Sequence, residues 1–221
     1  MNNPPINKIT GIHRGQPVLM AGEQLEQAQA AMIMMHGRGA SARDILGLSA
    51  ELHQPGFVYI APQAAGNTWY PTSFLAPLSS NEPDLSSALS VIGQLLDSLT
   101  EAGIAPERTI LLGFSQGACL SLEFAARNAC HYGGIAALSG GLIGPNTIAR
   151  DYPGSLAGTP AFLGCSDRDP HIPKERVDLS ADVLQRMEAT VTKRIYPQMG
   201  HTVNDDEIEQ VNAMMKALIT A

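Results

Sequence analysis

The chain has 221 residues, a formal net charge of -7 and 44% hydrophobic residues. This composition is typical of a soluble globular protein, and we expect one domain over residues 1–221 with a substantial core. The acidic balance, without a basic run, argues against nucleic acid or an anionic membrane as partner. The cysteines show no metal-ligand spacing and lie in apolar or helical segments, so we expect buried free thiols in a reducing compartment. They are Cys119, Cys130 and Cys165.

The sequence shows neither a targeting signal nor a membrane span. Residues 1–8 lack the apolar core of a signal peptide, and no later apolar run is long enough to cross a bilayer. We therefore expect a cytoplasmic protein without stable membrane insertion. The oligomeric state stays open, a homodimer included.

The first half of the chain alternates apolar strands with helices. Strands are predicted over 17–21, 30–35 and 57–61, a helix capped by Ser41 over 42–52, and an amphipathic helix over 85–102. Residues 30–35 are apolar at every position, which is typical of a strand inside a parallel sheet covered by helices. The alternation predicts an α/β fold.

The segment from residue 62 to 84 has no clean periodicity, yet it contains several apolar anchors. A long loop inside a compact domain is usually functional when it is not disordered. We interpret it as a structured loop that forms a wall of a substrate pocket; a loop that only covers the sheet edge is the alternative. The predicted pocket residues are Trp69, Tyr70, Phe74 and Leu75.

An apolar run over 109–112 leads into Gly113-Phe114-Ser115-Gln116-Gly117, and an amphipathic helical segment follows. A strand before Gly-x-Ser-x-Gly and a helix after it are what a nucleophile elbow requires. The two glycines leave room for strand and helix to approach, and the helix N-terminus favours negative charge near the serine. A turn in which Ser115 only caps the helix is the alternative.

The second half continues the α/β pattern. Strands are predicted over 134–138, 160–164 and 192–196, and a helix over 177–189. The loop over 142–159 contains no long helix, so we expect no large lid domain. Asn204 and Glu207 have the spacing of a capping box that begins the last helix.

Ser115, Asp169 and His201 each follow a predicted strand, so a parallel sheet brings all three to one edge. Their chain order is that of the α/β-hydrolases, which favours a catalytic triad. Histidine suits the role of base because its ordinary pKa lies near neutral pH. Asp169, fixed by Pro170, is the predicted acid, and Asp167 is assigned to the turn.

Five other histidines compete for the role of base. We expect His13, His53 and His131 on the surface. His36 is expected to make a structural hydrogen bond, and His171 lies too close in sequence to Asp169 to act as the base. For the oxyanion hole we predict the backbone N–H groups of Gln116 and of Arg38, whose flanking glycines let the chain approach the substrate.

These motifs resemble those of the small carboxylesterases and phospholipase/acyl-protein thioesterase-like members of the α/β-hydrolase superfamily. The resemblance rests on the elbow, on His36-Gly37-Arg38-Gly39, on Asp169-Pro170-His171-Ile172-Pro173 and on Gly200-His201. It implies an α/β-hydrolase fold with a mostly parallel sheet and helices on both faces. It also implies Ser115 as nucleophile, Asp169 as acid and His201 as base.

Two departures from the family pattern bear on the substrate. The thioesterases usually carry a hydrophobic residue at the position of Arg38, and a Trp-Phe-Asp-like run where this chain has Trp69-Tyr70-Pro71. Long-chain protein deacylation is therefore not expected. One hypothesis is that the Arg38 side chain favours anionic substrates at the pocket mouth; a solvated surface arginine is the alternative.

The sequence as a whole predicts a serine hydrolase for small-molecule esters or thioesters, acting through an acyl-enzyme without metal or organic cofactor. A lactone or peptide-bond hydrolase on the same scaffold is one alternative. A binding module that keeps the fold without turnover is the other, because a fold does not determine function.

Overall fold

A computed structural model of the protein describes residues 9–52 and 54–220. In this part of the chain a single sheet of seven strands forms the centre. The strands are β1 (Val18–Gly22), β2 (Ala30–Met35), β3 (Phe57–Pro62), β4 (Thr109–Phe114), β5 (Gly134–Leu138), β6 (Pro160–Ser166) and β7 (Thr190–Tyr196). Their order in the sheet is β1-β3-β2-β4-β5-β6-β7. β1 runs antiparallel to β3, and every other neighbouring pair is parallel.

Helices cover both faces of this sheet. They are α1 (Ala42–Leu46), α2 (Asp84–Glu101), α3 (Gln116–Arg127), α4 (Lys174–Arg186) and α5 (Asp205–Thr220). The architecture confirms the predicted α/β class with a mostly parallel sheet, and residues 142–159 contain turns but no helix. None of the helices in the described residues is long and apolar enough to cross a membrane.

The side chains of β2 show why a fully apolar strand belongs in the centre. Ala31, Ile33 and Met35 pack into the core layer that also contains the apolar faces of α2, α3 and α4. Ala30, Met32 and Met34 pack into the opposite layer with residues of α1 and α5. Successive side chains point to opposite faces of a strand, so both layers are filled by one continuous apolar run.

The bounds of two helices differ from the prediction by more than one residue. α1 ends at Leu46 and continues only as a 3-10 turn over Gly47–Ala50, whereas the sequence indicated a helix to residue 52. α4 begins at Lys174 and ends at Arg186, so the prediction of 177–189 was shifted. Its first turn is mostly polar, and a search for apolar periodicity places the start of such a helix too late.

The predicted helix starts at Ser41 and Asn204 are confirmed. Ser41 accepts from the N–H of Asp44, whose carboxylate accepts from the N–H of Ser41. Glu207 donates its N–H to Asn204 Oδ1 and accepts the N–H of Asn204 at 3.0 Å. Each pair satisfies two N–H groups that the helix itself leaves without partners.

Candidate active site

Ser115 occupies a tight turn between β4 and α3. Its backbone has φ 54° and ψ -117°, a conformation that an L-residue adopts at a cost. The Ser115 N–H donates to the carbonyl of Leu138 on β5 at 2.9 Å, which fixes the turn to the sheet. A Cβ atom on Gly113 would lie 2.3 Å from the backbone of Gly117, so only glycine permits this approach of strand and helix.

His201 connects Ser115 to Asp169 through its two ring nitrogens. Nε2 lies 2.8 Å from Ser115 Oγ, and Nδ1 lies 2.6 Å from Asp169 Oδ2. Beside an ionised carboxylate Nδ1 carries the proton, which leaves Nε2 free to accept from the serine hydroxyl. The geometry therefore provides a continuous path of hydrogen bonds from a buried carboxylate to a hydroxyl.

Asp169 is held in its ionised form. Burial of the side chain acts to raise its pKa, but the hydrogen bonds from His201 and from the N–H groups of His171 and Ile172 outweigh burial, so the pKa is lowered. The two N–H groups reach Oδ1 at 2.8 and 3.0 Å. Asp169 can thus orient the imidazole and stabilise its protonated form.

The loop that carries His201 follows β7 and is bound to the end of β6. Asp167 Oδ1 accepts the N–H of Gln198 at 2.7 Å, and Ser166 Oγ accepts the N–H of Gly200 at 3.2 Å. Asp167 therefore holds the loop and lies outside the hydrogen-bond path to the serine. Sequence reasoning gave no sign of this role, because the contact joins two loops far apart in the chain.

The other histidines take different positions. His36 is buried and accepts the N–H of Ala64 at 3.1 Å, a structural hydrogen bond as predicted. His131 is exposed, as expected, and His53 lies outside the described residues. His13 was expected on the surface, but this was wrong: it is buried, with its ring 5.2 Å from that of Trp69. Burial lowers the pKa of both His13 and His36.

His171 lies at the rim of the site and is exposed. Its ring packs edge-on against His201 with 4.8 Å between the centroids, and Phe114 contacts the same ring at 4.9 Å. His171 is thus a neighbour of His201, and its own backbone N–H binds Asp169. The path to Ser115 Oγ runs through His201.

Arg38, Ser115 and Gln116 all line one cavity. Gln116 is the first residue of α3, a position whose N–H has no acceptor within the helix. In the turn after β2, the N–H groups of Gly39 and Ala40 donate to Asn67 and Gly37. Within the described residues the N–H of Arg38 has no such acceptor.

The cavity above Ser115 has a volume of about 410 Å³. It is lined by Gly37, Arg38, Ala40, Tyr70, Ser73, Phe74, Phe114, Ser115, Gln116, Cys119, His171, Ile172 and His201. Tyr70 and Phe74 therefore contact the cavity as predicted. Trp69 and Leu75 do not line it, and their assignment to the pocket is corrected: Trp69 is fully buried behind the wall, where its indole N–H donates to His36 O, and Leu75 packs against the core.

The side chain of Arg38 is committed to a neighbouring loop. Its guanidinium donates to the carbonyl oxygens of Tyr70, Pro71 and Thr72 at 2.9, 3.0 and 2.6 Å. The guanidinium also lies 5.8 Å from the centre of the Tyr70 ring. Arg38 is exposed, but these three bonds from Nη1 and Nη2 tether its guanidinium to the loop, unlike a freely solvated surface arginine.

The sheet order, the helices on both faces and the strained serine turn define an α/β-hydrolase fold. A sequence model of the phospholipase/carboxylesterase family matches residues 18–219, and the chain belongs to this family. The resemblance inferred from the motifs is thereby confirmed.

Relatives of known structure or curated name agree with this assignment. A phospholipase/carboxylesterase structure from Dyadobacter fermentans is 40% identical, covers 95% of this chain and 100% of that one, and superposes with a TM-score of 0.88. Acyl-protein thioesterase 1 of Gibberella zeae is 35% identical over 55% of this chain and 53% of that protein. The Saccharomyces cerevisiae protein of the same name is 30% identical over 61% of this chain and 60% of that protein. The chain thus spans between half and two thirds of the length of these curated relatives.

Proposed function

We propose that the protein is a serine hydrolase that cleaves carboxylic esters or thioesters through an acyl-enzyme on Ser115. The observation that carries the proposal is the hydrogen-bond path from Asp169 through His201 to the Ser115 hydroxyl, with distances of 2.6 and 2.8 Å. Family membership and the names of the relatives support the same reaction class.

In the proposed mechanism His201 Nε2 takes the hydroxyl proton while Ser115 Oγ attacks the substrate carbonyl carbon. The negative charge that develops on the carbonyl oxygen is stabilised by the backbone N–H groups of Arg38 and Gln116 and by the N-terminal end of α3. His201 then protonates the leaving alcohol or thiol. A water molecule, activated by the same histidine, releases the acid from Ser115, while Asp169 remains ionised throughout.

The substrate in this proposal is a small molecule that enters the cavity above Ser115. The reaction as proposed uses only protein side chains and backbone groups. Cys119, Cys130 and Cys165 are free thiols, which supports a reducing compartment, and we propose the cytoplasm.

A panel of p-nitrophenyl esters and acyl thioesters of increasing chain length tests the function. We expect a burst of p-nitrophenol followed by steady turnover, and loss of both in Ser115→Ala. Ser121→Ala is the matched control, because Ser121 is a fully buried serine on α3, the helix that follows Ser115, and its hydroxyl has no hydrogen-bond partner in the described residues. Turnover of lactones or peptides but not of esters or thioesters would favour the alternative hydrolases, and stoichiometric binding without turnover would favour a binding module.

A further inference from the structure

The two residues proposed to supply the oxyanion hole also share a contact through their side chains. The carbonyl oxygen of Tyr70 accepts from Arg38 Nη2 and from Gln116 Nε2, each at 2.9 Å. Gln116 Oε1 additionally accepts the N–H of Trp69 at 2.9 Å. Residues 69–72 are therefore held from both sides of the proposed oxyanion hole.

Several contacts already hold the turn that contains Arg38: the N–H of Ala40 donates to Gly37 O at 3.2 Å, and His36 Nδ1 lies 2.8 Å from Gly37 O. The N–H of Gly39 donates to Asn67 O at 2.7 Å, and the Trp69 indole donates to His36 O at 2.9 Å. Gly39 has φ +77°, and a Cβ there would meet nothing within 4 Å, so hydrogen bonds rather than side-chain packing hold the turn on this side of Arg38. The guanidinium supplies three further hydrogen bonds, and its planar shape suits several carbonyl acceptors at once.

We propose that Arg38 is a positioning residue: its guanidinium binds the carbonyl groups of residues 70–72 and thereby aims the backbone N–H of Arg38 at the oxyanion. This inference rests on the proposed hydrolase function. It differs from the idea that Arg38 attracts anionic substrates: three of the five guanidinium N–H groups bind protein carbonyls, and a comparison of a neutral with an acidic ester separates the two ideas. The side chain then acts on the transition state, in which the oxyanion forms, rather than on substrate binding.

Steady-state kinetics of Arg38→Ala on a neutral and on an acidic ester test the proposal. Loss of one oxyanion donor typically lowers turnover about 100- to 1,000-fold, and a misplaced donor should cost less, so we expect kcat to fall roughly 10- to 100-fold on both esters. KM and the shape of the pH profile should change little. Affinity for an alkylboronic acid, whose adduct with Ser115 carries a tetrahedral negative charge, should fall by the same factor as kcat/KM.

Two further variants separate positioning from a general effect on folding. Arg150→Ala is the matched control, because Arg150 binds the carbonyls of Ile143 and Gly144 at 2.9 and 3.0 Å in another loop and does not line the cavity. It should keep the kcat of the wild type. Arg38→Lys keeps the charge but lacks the planar donor group, and its kcat should lie between those of Arg38→Ala and the wild type.

A double variant with Gln116→Ala tests the shared contact at Tyr70. Both side chains hold the same carbonyl. The fold-decrease in kcat of the double variant should therefore be smaller than the product of the fold-decreases of the two single variants. Wild-type kcat in Arg38→Ala, a KM effect confined to the acidic ester, or an equal loss in Arg150→Ala would each overturn the inference. A wild-type protein that neither turns over esters nor reacts with a fluorophosphonate would instead overturn the proposed function, and the inference with it.

Discussion

Gly117 packs against the backbone of Met35 so closely that a Cβ atom at Gly117 would lie 2.0 Å from the Met35 carbonyl oxygen. The contact joins the first turn of α3 to the end of β2, and Ser115 and the turn with Arg38 lie on its two sides. Replacement of a Gly117 Hα atom by a methyl group therefore requires the backbone on one side of the cavity to shift. The packing of these two residues sets the distance between the proposed nucleophile and the proposed oxyanion turn.

We predict that Gly117→Ala lowers both stability and activity. Overpacking of this kind typically costs about 1–3 kcal/mol, and the clash is with backbone atoms that cannot rotate away. Thermal unfolding and ester turnover measure the two effects. Gly47→Ala is the control, since a Cβ at Gly47 meets nothing within 4 Å and its φ is -55°. Equal melting temperatures for the two variants would contradict the packing argument.

Asp169→Asn should lower kcat by about 10⁴-fold, the size of effect expected when the acid of a Ser-His-Asp triad is replaced by its amide. An asparagine cannot stabilise the protonated imidazole and can orient the ring in the wrong tautomer. Asp167→Asn is the comparison, because its carbonyl oxygen can still accept the N–H of Gln198. Losses of similar size in the two variants would show that Asp169 acts only as a structural residue.

We predict that the stability of the fold depends on pH through Glu207, which is not one of the proposed catalytic residues. Glu207 is fully buried, and this burial is the main reason that its pKa is raised from 4.5 to about 7. The hydrogen bond from the Asn204 N–H lowers the pKa, and the charge of Asp206 raises it further. Oε1 of Glu207 has no hydrogen-bond partner in the described residues and packs against Gly164, where an added Cβ would lie 2.2 Å from it. A buried oxygen without a partner favours the neutral, protonated carboxyl group. The folded protein then holds this proton more tightly than the unfolded chain does.

The stability that protonated Glu207 contributes is complete below pH 4.5 and is lost as the pH rises to about 7. For a shift of this size the loss amounts to roughly 3 kcal/mol. Glu207→Gln mimics the protonated acid and should lack this loss. Urea unfolding of both proteins between pH 4 and 8 measures the difference. Parallel stability curves for the two proteins would show that the pKa of Glu207 is not raised.

Much of the fold could be predicted from the chain alone. The bounds of β2 and β5 agree with prediction because each is an apolar run bordered by glycine or polar residues. The approach of Ser115, His201 and Asp169 followed from chain order, because parallel strands place the residues after them at one edge of the sheet. Their catalytic roles stay a proposal.

The rest depends on contacts that no local pattern encodes. His13 lies in an N-terminal segment without periodicity, and its burial comes from residues more than 50 positions later, such as Ala65, whose N–H it accepts. The Arg38 contacts likewise reach carbonyl groups 32 to 34 residues away in an irregular loop. Backbone carbonyls carry no sequence signal, because every residue has one.

Covalent labelling by a fluorophosphonate, with the modified peptide identified by mass spectrometry, tests the central claim most directly. Wild-type protein should carry one adduct, on Ser115; Ser115→Ala should carry none, and Ser121→Ala should be labelled like the wild type. Labelling of His201→Ala should be strongly slowed, since Nε2 of His201 lies 2.8 Å from the Ser115 hydroxyl that we propose it activates. An adduct on another residue, or undiminished labelling of Ser115→Ala, would contradict the account.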